Sequence, residues 1–275
     1  MTEIKTIFAV IDPSTDNQHA LQRAKRIAKV SDARIHAFLC ISPILEAHDP
    51  EALKRVEIAR YQPWLDAIVE DVREEGFDIE AELEWTEDWR HALGDAAKRA
   101  NADFIVKSSR RRTTKERLMM TSSDQALLET APCPVQLVSS EVVDDLYKVL
   151  VAVDATREDE QYRKILDSVI GYGKTVAASN ENGELHAVHA YEEQDHFAHV
   201  TDVAKLVDIE TDKVHVKGGE PEKAIAEVAN EIEAQIIVIG LSTKSTLKNR
   251  LFGSIIDGLL NNTSHDILVV IPEHN

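Results

Sequence analysis

The sequence predicts an α/β protein of two tandem domains, each an open five-stranded parallel sheet with helices on both faces. Three observations predict it. Residues 85–138 align with residues 217–270 without a gap at a constant offset of 132, so that Ala92-Leu93 falls on Ala224-Ile225, Ile105-Val106 on Ile237-Val238 and Leu127-Leu128 on Leu259-Leu260. The two halves also open alike, KTIFAVID at Lys5–Asp12 and KVLVAVD at Lys148–Asp154. A period of about 140 residues is too long for a solenoid unit and marks a duplicated domain. Within each half, short β-branched runs alternate with helical patterns, as expected of strands buried on both faces and joined by right-handed crossovers.

In the first half, strands are expected at Thr6–Ile11, Arg34–Ile41, Ile79–Trp85, Phe104–Val106 and Val135–Val138. Leu21, Ala24, Ile27 and Ala28 recur on one helical face, with Asp16 or Asn17 available as a cap. Pro50–Glu75, Asp88–Ala100 and Ser122–Thr130 supply three further helices. In the second half, strands are expected near Val149–Val153, Leu185–Ala190, Val214–Val216, Ile236–Ile239 and Ile267–Ile271. Glu192–Asp212 leaves room for only a shortened second helix there. The offset falls from 142 between Asp12 and Asp154 to 132 further on, so the second half is ten residues shorter between its first and third strands. The domains are expected over residues 1–140 and 146–275, with Ser139–Tyr147 (SSEVVDDLY) as a short linker.

Composition narrows the function. Of 275 residues, 43% are hydrophobic and 29% charged, the balance of a folded globular chain. Lys and Arg number 31 against 49 Asp and Glu, a net charge of −18 that repels polyanions, so neither nucleic acid nor an anionic membrane is an expected partner. The opening MTEIKTIFAVIDPSTD has only a short apolar run ended by Asp12, and no stretch approaches the roughly 18 apolar residues that span a bilayer. Cys40 and Cys133 are the only cysteines, with no CxxC pair and no Cys/His cluster at zinc spacing. These features fit a reducing compartment, and the cytosol is the expected location.

The fourth strand of the second half runs into GLSTKSTLKNRLFGSIIDGLL, Gly240–Leu260. A glycine directly after a strand lets a backbone approach a ligand closely. Gly253-Ser254 opens a second apolar helical pattern, whose free N–H groups and positive end favour an anion, with the Ser254 hydroxyl as a further donor. Glycines also close tight loops with no ligand at all, so spacing alone leaves both readings open.

At these residues the chain resembles the universal stress protein family, in particular its tandem E type. That family carries a G-x2-G-x9-G-[S/T] loop after the fourth strand and an Asp at the end of the first. Gly240, Gly253 and Ser254 fit the loop, Asp154 fits the acid, and Ala131-Pro132-Cys133-Pro134-Val135 resembles the family's closing strand. The resemblance implies Rossmann-like domains of the adenine nucleotide alpha hydrolase kind, with ATP, with or without magnesium, as cofactor. It implies Asp154 and Ala190 as adenosine contacts, Gly240 near the ribose, and Gly253 and Ser254 on the phosphates. Thr243 replaces the middle glycine, where its Cβ narrows the phosphate path and its hydroxyl could donate to it. The resemblance also implies that Val135–Val138 and Ile267–Ile271 pair within one chain as an internal pseudo-dimer; association of two chains is left open.

The first half departs from the pattern. Offset 132 places Ser108 at the first glycine, Arg111 at the second and Thr121-Ser122 at the Gly-Ser pair, so ATP of the usual kind is not expected there. Asp12 is then a relic or a helix-entry cap. Arg110, Arg111 and Arg112 could take another, unknown anion, although a solvated basic loop is the commoner case. His196, His199 and Glu192 would form a divalent-metal site if they shared a helix face, whereas exposed histidines around a short helix are commoner, and no metal is assigned. His186 and His189 lie on opposite faces of a strand and cannot chelate together. Trp85 and Trp89 flank a strand-to-helix turn as packing or as a cleft wall. No G-x-S-x-G elbow, Walker A lysine or G-x-G-x-x-G is present, so no catalytic residue is assigned. The expected function is a cytosolic stress-response module that binds an adenine nucleotide in its second domain. The alternatives are a weak ATPase or adenylyl hydrolase on the same scaffold, or a nucleotide-free scaffold for protein partners.

Overall fold

The structure is a computed structural model that describes residues 3–42, 49–109, 123–139, 147–180, 182–241 and 254–271, with Ser254 described by its backbone. The chain divides into two compact units, residues 3–108 with 123–138 in one and residues 147–271 in the other. The first unit contains β1 (Thr6–Val10), α1 (His19–Ser31), β2 (Arg34–Ile41), α2 (Pro50–Glu74), β3 (Ile79–Trp85), α3 (Trp89–Arg99), β4 (Phe104–Ser108), α4 (Ser123–Thr130) and β5 (Val135–Val138). The second contains β6 (Tyr147–Ala152), α5 (Glu160–Ala178), β7 (Gly183–Tyr191), α6 (Val200–Val207), β8 (Val214–Gly218), α7 (Pro221–Glu231), β9 (Ile236–Gly240), α8 (Ser254–Asn262) and β10 (Asp266–Val270). Short 3-10 turns precede α6 and β8 at Gln194–His196 and Thr211–Lys213.

The strand order is β3-β2-β1-β4-β5 in the first unit and, by the same path, β8-β7-β6-β9-β10 in the second. The pairs given by register within each unit are parallel. In both sheets the order reverses between the first and fourth strands, the place where such sheets open a crevice at their carboxyl ends. The central strands β1, β4, β5, β6, β9 and β10 are largely apolar runs because both their faces are covered, whereas β3 (IEAELEW) and β8 (VHVKG), at the sheet edges, mix polar and apolar residues. Phe8, Ile35, Phe38, Ile105 and Leu137 are wholly buried in the first unit, as are Leu150, Ile236 and Ile237 in the second. Burying each such side chain stabilises the fold by about 1.5–3 kcal/mol before entropic costs.

Register locates the length difference between the halves. Phe8 pairs with His36 and with Ile105, and Leu150 pairs with His186 and with Ile237. The offset is therefore 142 on the first strand, 150 on the second and 132 on the fourth. On the third strand, Glu82 and His215 correspond at 133, through their partners Phe38 and Val188. The shortening is thus two opposed changes. The first crossover gains eight residues as α5 runs 19 residues against 13 in α1, and the second loses 17 as α6 runs 8 against 25 in α2.

Two local expectations are corrected. Neither Asp16 nor Asn17 caps α1; Gln18 occupies the cap position without a side-chain cap bond. Its amide is engaged in the preceding turn instead, accepting from Asp12 N–H at 3.0 Å and donating to the carbonyls of Asp12 and Thr15 at 2.8 and 2.7 Å. Tyr147, assigned to the linker, opens β6. The cap of α2 follows its sequence, Asp49 accepting from Ala52 N–H at 3.0 Å with Pro50 in the first turn. Trp85 lies against α2, its indole N–H donating to Glu57 at 2.6 Å and the Lys54 ammonium over its ring, which decides for packing. Among the described residues, no helix is long and apolar enough to cross a membrane.

Candidate functional site

In the second unit the carboxyl ends of β6, β7 and β9 bring together three residues singled out by sequence. Asp154 follows β6 by two residues, Ala190 is the penultimate residue of β7 and Gly240 ends β9. Val151 pairs with Val238 and Ala152 with Val188, so continuing the register sets Asp154 opposite Ala190 and Val153 opposite Gly240. All three are half-buried, as residues at the rim of a crevice should be. Thr243 and Gly253 lie outside the described residues, and of Ser254 only the backbone, opening α8, is described.

Asp154 is held as a turn former. Its Oδ1 accepts from Thr156 N–H at 3.1 Å and from the Thr156 hydroxyl at 2.8 Å, an Asx turn that leads the chain towards α5. Among the described residues its Oδ2 accepts no hydrogen bond. The backbone N–H of Asp154 donates to the Tyr162 hydroxyl at 2.6 Å. Burial, chiefly, pushes that phenol up to about 12, so it keeps its own proton at neutral pH. The Arg157 guanidinium stacks on the Tyr162 ring, 4.6 Å from its centroid, and its Nε donates to Asp159, the residue whose Oδ1 caps α5. The end of β6 therefore carries an acceptor in the Asp154 carboxylate and a neutral hydroxyl in Tyr162, a set suited to hydroxyl or amine groups of a small polar ligand.

Gly240 has a reason of its own to be glycine. A Cβ added there would lie 2.3 Å from Ile165 Cγ2 and 3.2 Å from Val169 Cγ2, so the residue lets α5 sit close on β9. Helix packing is thus a sufficient reason for glycine here, beside the approach to a ligand that the sequence also allows.

The first unit fills the same places with its own groups. Asp12 Oδ1 accepts from Ser14 N–H at 2.9 Å, repeating the Asx turn of the second unit. Asp12 is thus a turn former ahead of α1. Ser108 stands where Gly240 does, and its hydroxyl accepts from Ala20 N–H in the first turn of α1 at 3.2 Å. Lys107 donates to Asp124 Oδ1 at 2.6 Å and to the Ser108 carbonyl at 3.0 Å, with both side chains of the ion pair nearly enclosed. An internal carboxylate at the start of α4 thereby meets an internal cation. Cys40 matches Ala190 by register, its thiol raised to about 11 by burial and then by Glu84. Arg110, Arg111 and Arg112, with Thr121 and Ser122, lie outside the described residues.

The histidines separate as the strand period requires. His186 lies on one face of β7, its Nε2 3.2 Å from Glu184 and its Nδ1 3.3 Å from His215 Nε2. Burial depresses the pKa of both imidazoles below the ordinary histidine value. His189 lies on the other face, fully buried and bonded to the backbone of two loops. His196 ends a 3-10 turn while His199 is the cap residue of α6, so the two do not share a helix face. Among the described residues, no group of three or more His, Cys, Asp or Glu could hold a metal ion. Sequence reasoning missed Tyr162, and of His189 it foresaw the strand face but not the backbone contacts, because each acts through a contact set by tertiary register.

Comparison with known proteins agrees with this architecture. Universal stress protein E of Photorhabdus laumondii is 24% identical over 99% of this chain and 96% of its own length. A universal stress protein from Archaeoglobus fulgidus superposes with a TM-score of 0.78 over 98% of this chain and 96% of its own, and at 18% identity that likeness speaks for the fold. A universal stress protein solved in complex with cAMP aligns with 46% of this chain and 98% of its own, at 25% identity and a TM-score of 0.35. The sequence model described as the Universal stress protein family matches residues 3–139 and 175–270. With both segments matched and the same strand order in each unit, the chain belongs to the universal stress protein family.

Proposed function

We propose that the second unit binds an adenine nucleotide, ATP in the first instance, and that the protein is a regulatory binding module of the stress response rather than a catalyst. What supports the reading is the end of β6 at the β6–β9 switch, where among the described residues one Asp154 carboxylate oxygen accepts no hydrogen bond and the Tyr162 hydroxyl meets the Asp154 backbone. In this reading Asp154 and Ala190 contact the adenosine, the backbone at Gly240 passes the ribose, and Thr243, Gly253 and Ser254 take the phosphates at the start of α8. A helix start favours such anions through its free N–H groups. The first unit is not assigned a nucleotide, because Ser108 and the Lys107–Asp124 pair use the corresponding groups internally.

Isothermal titration of the full chain with ATP, with and without magnesium, tests the reading. The expected result is one site per chain, lost in Asp154→Ala and in Gly253→Val. Two sites would give the first unit a nucleotide as well. No heat of binding and no rise in Tm at millimolar ATP, where even a weak ligand stabilises the folded state, would overturn the reading. Release of phosphate that depends on Asp154 would turn the module into an ATPase.

A further inference from the structure

The second unit buries a histidine on the face of β7 opposite His186. His189 is 0% exposed, in a strand whose counterpart in the first unit carries Leu39, also 0% exposed. The correspondence follows from register, since Leu39 pairs with Leu83 and His189 with Val216 on matching third strands. An imidazole in place of leucine brings two polar nitrogens into the core, and both need partners there.

Both find them in loops that border the candidate nucleotide site. Nε2 lies 2.8 Å from the carbonyl of His196. A carbonyl only accepts, so Nε2 carries the proton, and Nδ1 of the neutral ring is left with a lone pair. Nδ1 is 3.3 Å from Ala155 N–H, which donates to it. The Val153 carbonyl, also 3.3 Å away, is then a neighbour rather than a bonding partner. One side chain thus fastens the residue after Asp154 and a residue six beyond Ala190.

The duplication gives an independent argument. At the offset of 142 that relates β1 to β6, Ala155 corresponds to Pro13. The same backbone link is kept on both sides, Ile11 N–H to the Phe38 carbonyl and Val153 N–H to the Val188 carbonyl, each at 2.9 Å. Where the chain has an N–H after the aspartate, the strand supplies a histidine acceptor; where proline removes that N–H, the strand supplies leucine. The His189–Ala155 and Leu39–Pro13 pairs are alternative solutions at one place, and only the first also ties down the segment after β7.

We propose that His189 is a positioning residue of the second unit's ligand site: it fixes the Asp154–Ala155 turn through Nδ1 and the Tyr191–His196 segment through Nε2. The proposal rests on the nucleotide reading above and deepens it, because it names what holds the adenosine-contacting residues in register. Through these bonds the two walls of the site move as one.

The test is ATP titration of the full chain carrying His189→Leu, which copies the first unit, and His189→Gln, whose amide can both accept and donate. A long-range nitrogen–proton NMR spectrum of the unmodified protein accompanies it. The expected results are a protonated Nε2 with a bare Nδ1, an affinity about tenfold or more weaker in the leucine variant while its circular dichroism stays native, and partial recovery in the glutamine variant. If the unmodified protein binds ATP and a folded leucine variant binds within twofold of it, the positioning role is overturned. A proton on Nδ1 in the neutral ring overturns it even if the leucine variant fails to fold. If the unmodified protein binds no ATP, the nucleotide reading itself falls and takes this role with it, an outcome distinct from equal binding by both.

Discussion

The two units share strand order, register and the Asx turn after the first strand, yet they treat the crevice at the sheet's carboxyl end in opposite ways. The first unit closes on itself: Gln18 satisfies the backbone after β1, Ser108 bonds the start of α1, and Lys107 meets Asp124 at the start of α4. The second unit uses Tyr162 and His189 to hold the backbone of the same loop, while among the described residues one oxygen of Asp154 accepts no hydrogen bond. Asp12 and Asp154 are therefore equivalent in the chain and in their turns, and differ in what surrounds them. An acid at the end of the first strand is a turn residue first; whether it can also serve a ligand depends on its neighbours.

A second contrast lies at the outer edge of each sheet. In the first unit Arg34 lies 3.5 Å from Glu80, His36 3.2 Å from Glu82, and Arg99 within hydrogen-bond distance of Glu82 and Glu84. At the corresponding places in the second unit the signs are exchanged: Glu184 faces Lys213, His186 faces His215, and Glu231 faces Lys217. The geometry of the rungs is shared by the two units while the charges swap, so what is kept at these places is opposite charge on neighbouring elements and not a particular residue on each. The histidine rung is the exception, for it alone replaced a carboxylate with a second imidazole.

The sharpest way to break the first contrast is to remove its buried cation. Lys107→Met should leave the Asp124 carboxylate enclosed without its ion partner and cost about 3 kcal/mol, read as a lower midpoint in urea unfolding. The matching residue in the second unit is Ile239, so exchanging it for Val should cost only about 1 kcal/mol. Next in size, His189→Leu should cost about 1–3 kcal/mol by leaving the Ala155 N–H and the His196 carbonyl without their partner. Adding Ala155→Pro, which copies Pro13, should recover part of that loss in thermal melts. No recovery would mean that the two solutions are not interchangeable.

The histidine rung predicts a pH effect confined to one unit. Burial, first, holds His186 and His215 below the ordinary value of 6.5, so the unfolded chain takes up protons that the folded edge resists. Stability from the neutral pair is complete above 6.5 and declines as the pH falls below it. Glu80, lowered first by its hydrogen bond with His36, contributes stability that persists above its ordinary 4.5 and is lost only in stronger acid. Between about pH 6.5 and 4.5, hydrogen exchange should therefore quicken in β8 and not in β3, and His215→Gln should flatten the response. The smallest effect belongs to the exposed ion pairs. Arg99→Ala and Lys217→Ala should each cost under about 1 kcal/mol, and the cost should shrink further in high salt.

Much of the architecture is legible in the sequence because burial on both faces writes the central strands as apolar runs, and because the second half repeats the pattern of the first. Arg34–Ile41 and Val135–Val138 fall where such runs lie, and Ile79–Trp85 falls where the pattern alternates. The start of α1 was not legible, since Gln18 is recruited by a turn that contacts Asp12 six residues earlier. The candidate site is legible only in outline. Asp154, Ala190 and Gly240 stand out because they end strands, whereas Tyr162 and His189 are ordinary residues of a helix and a strand until the sheet and α5 are assembled.

The sequence by itself determined a duplicated α/β chain, its strands, its acidity and the family it resembles, because periodicity and composition are local properties of the chain. The tertiary structure decided the rest. Register across parallel strands set a histidine behind the turn that follows one of two equivalent aspartates and a leucine behind the other. Helix packing, through the contact that a Cβ at Gly240 would make with Ile165, supplied a reason for a glycine whose role spacing alone had left open. Such choices depend on contacts between residues far apart in the chain, and no local pattern encodes them.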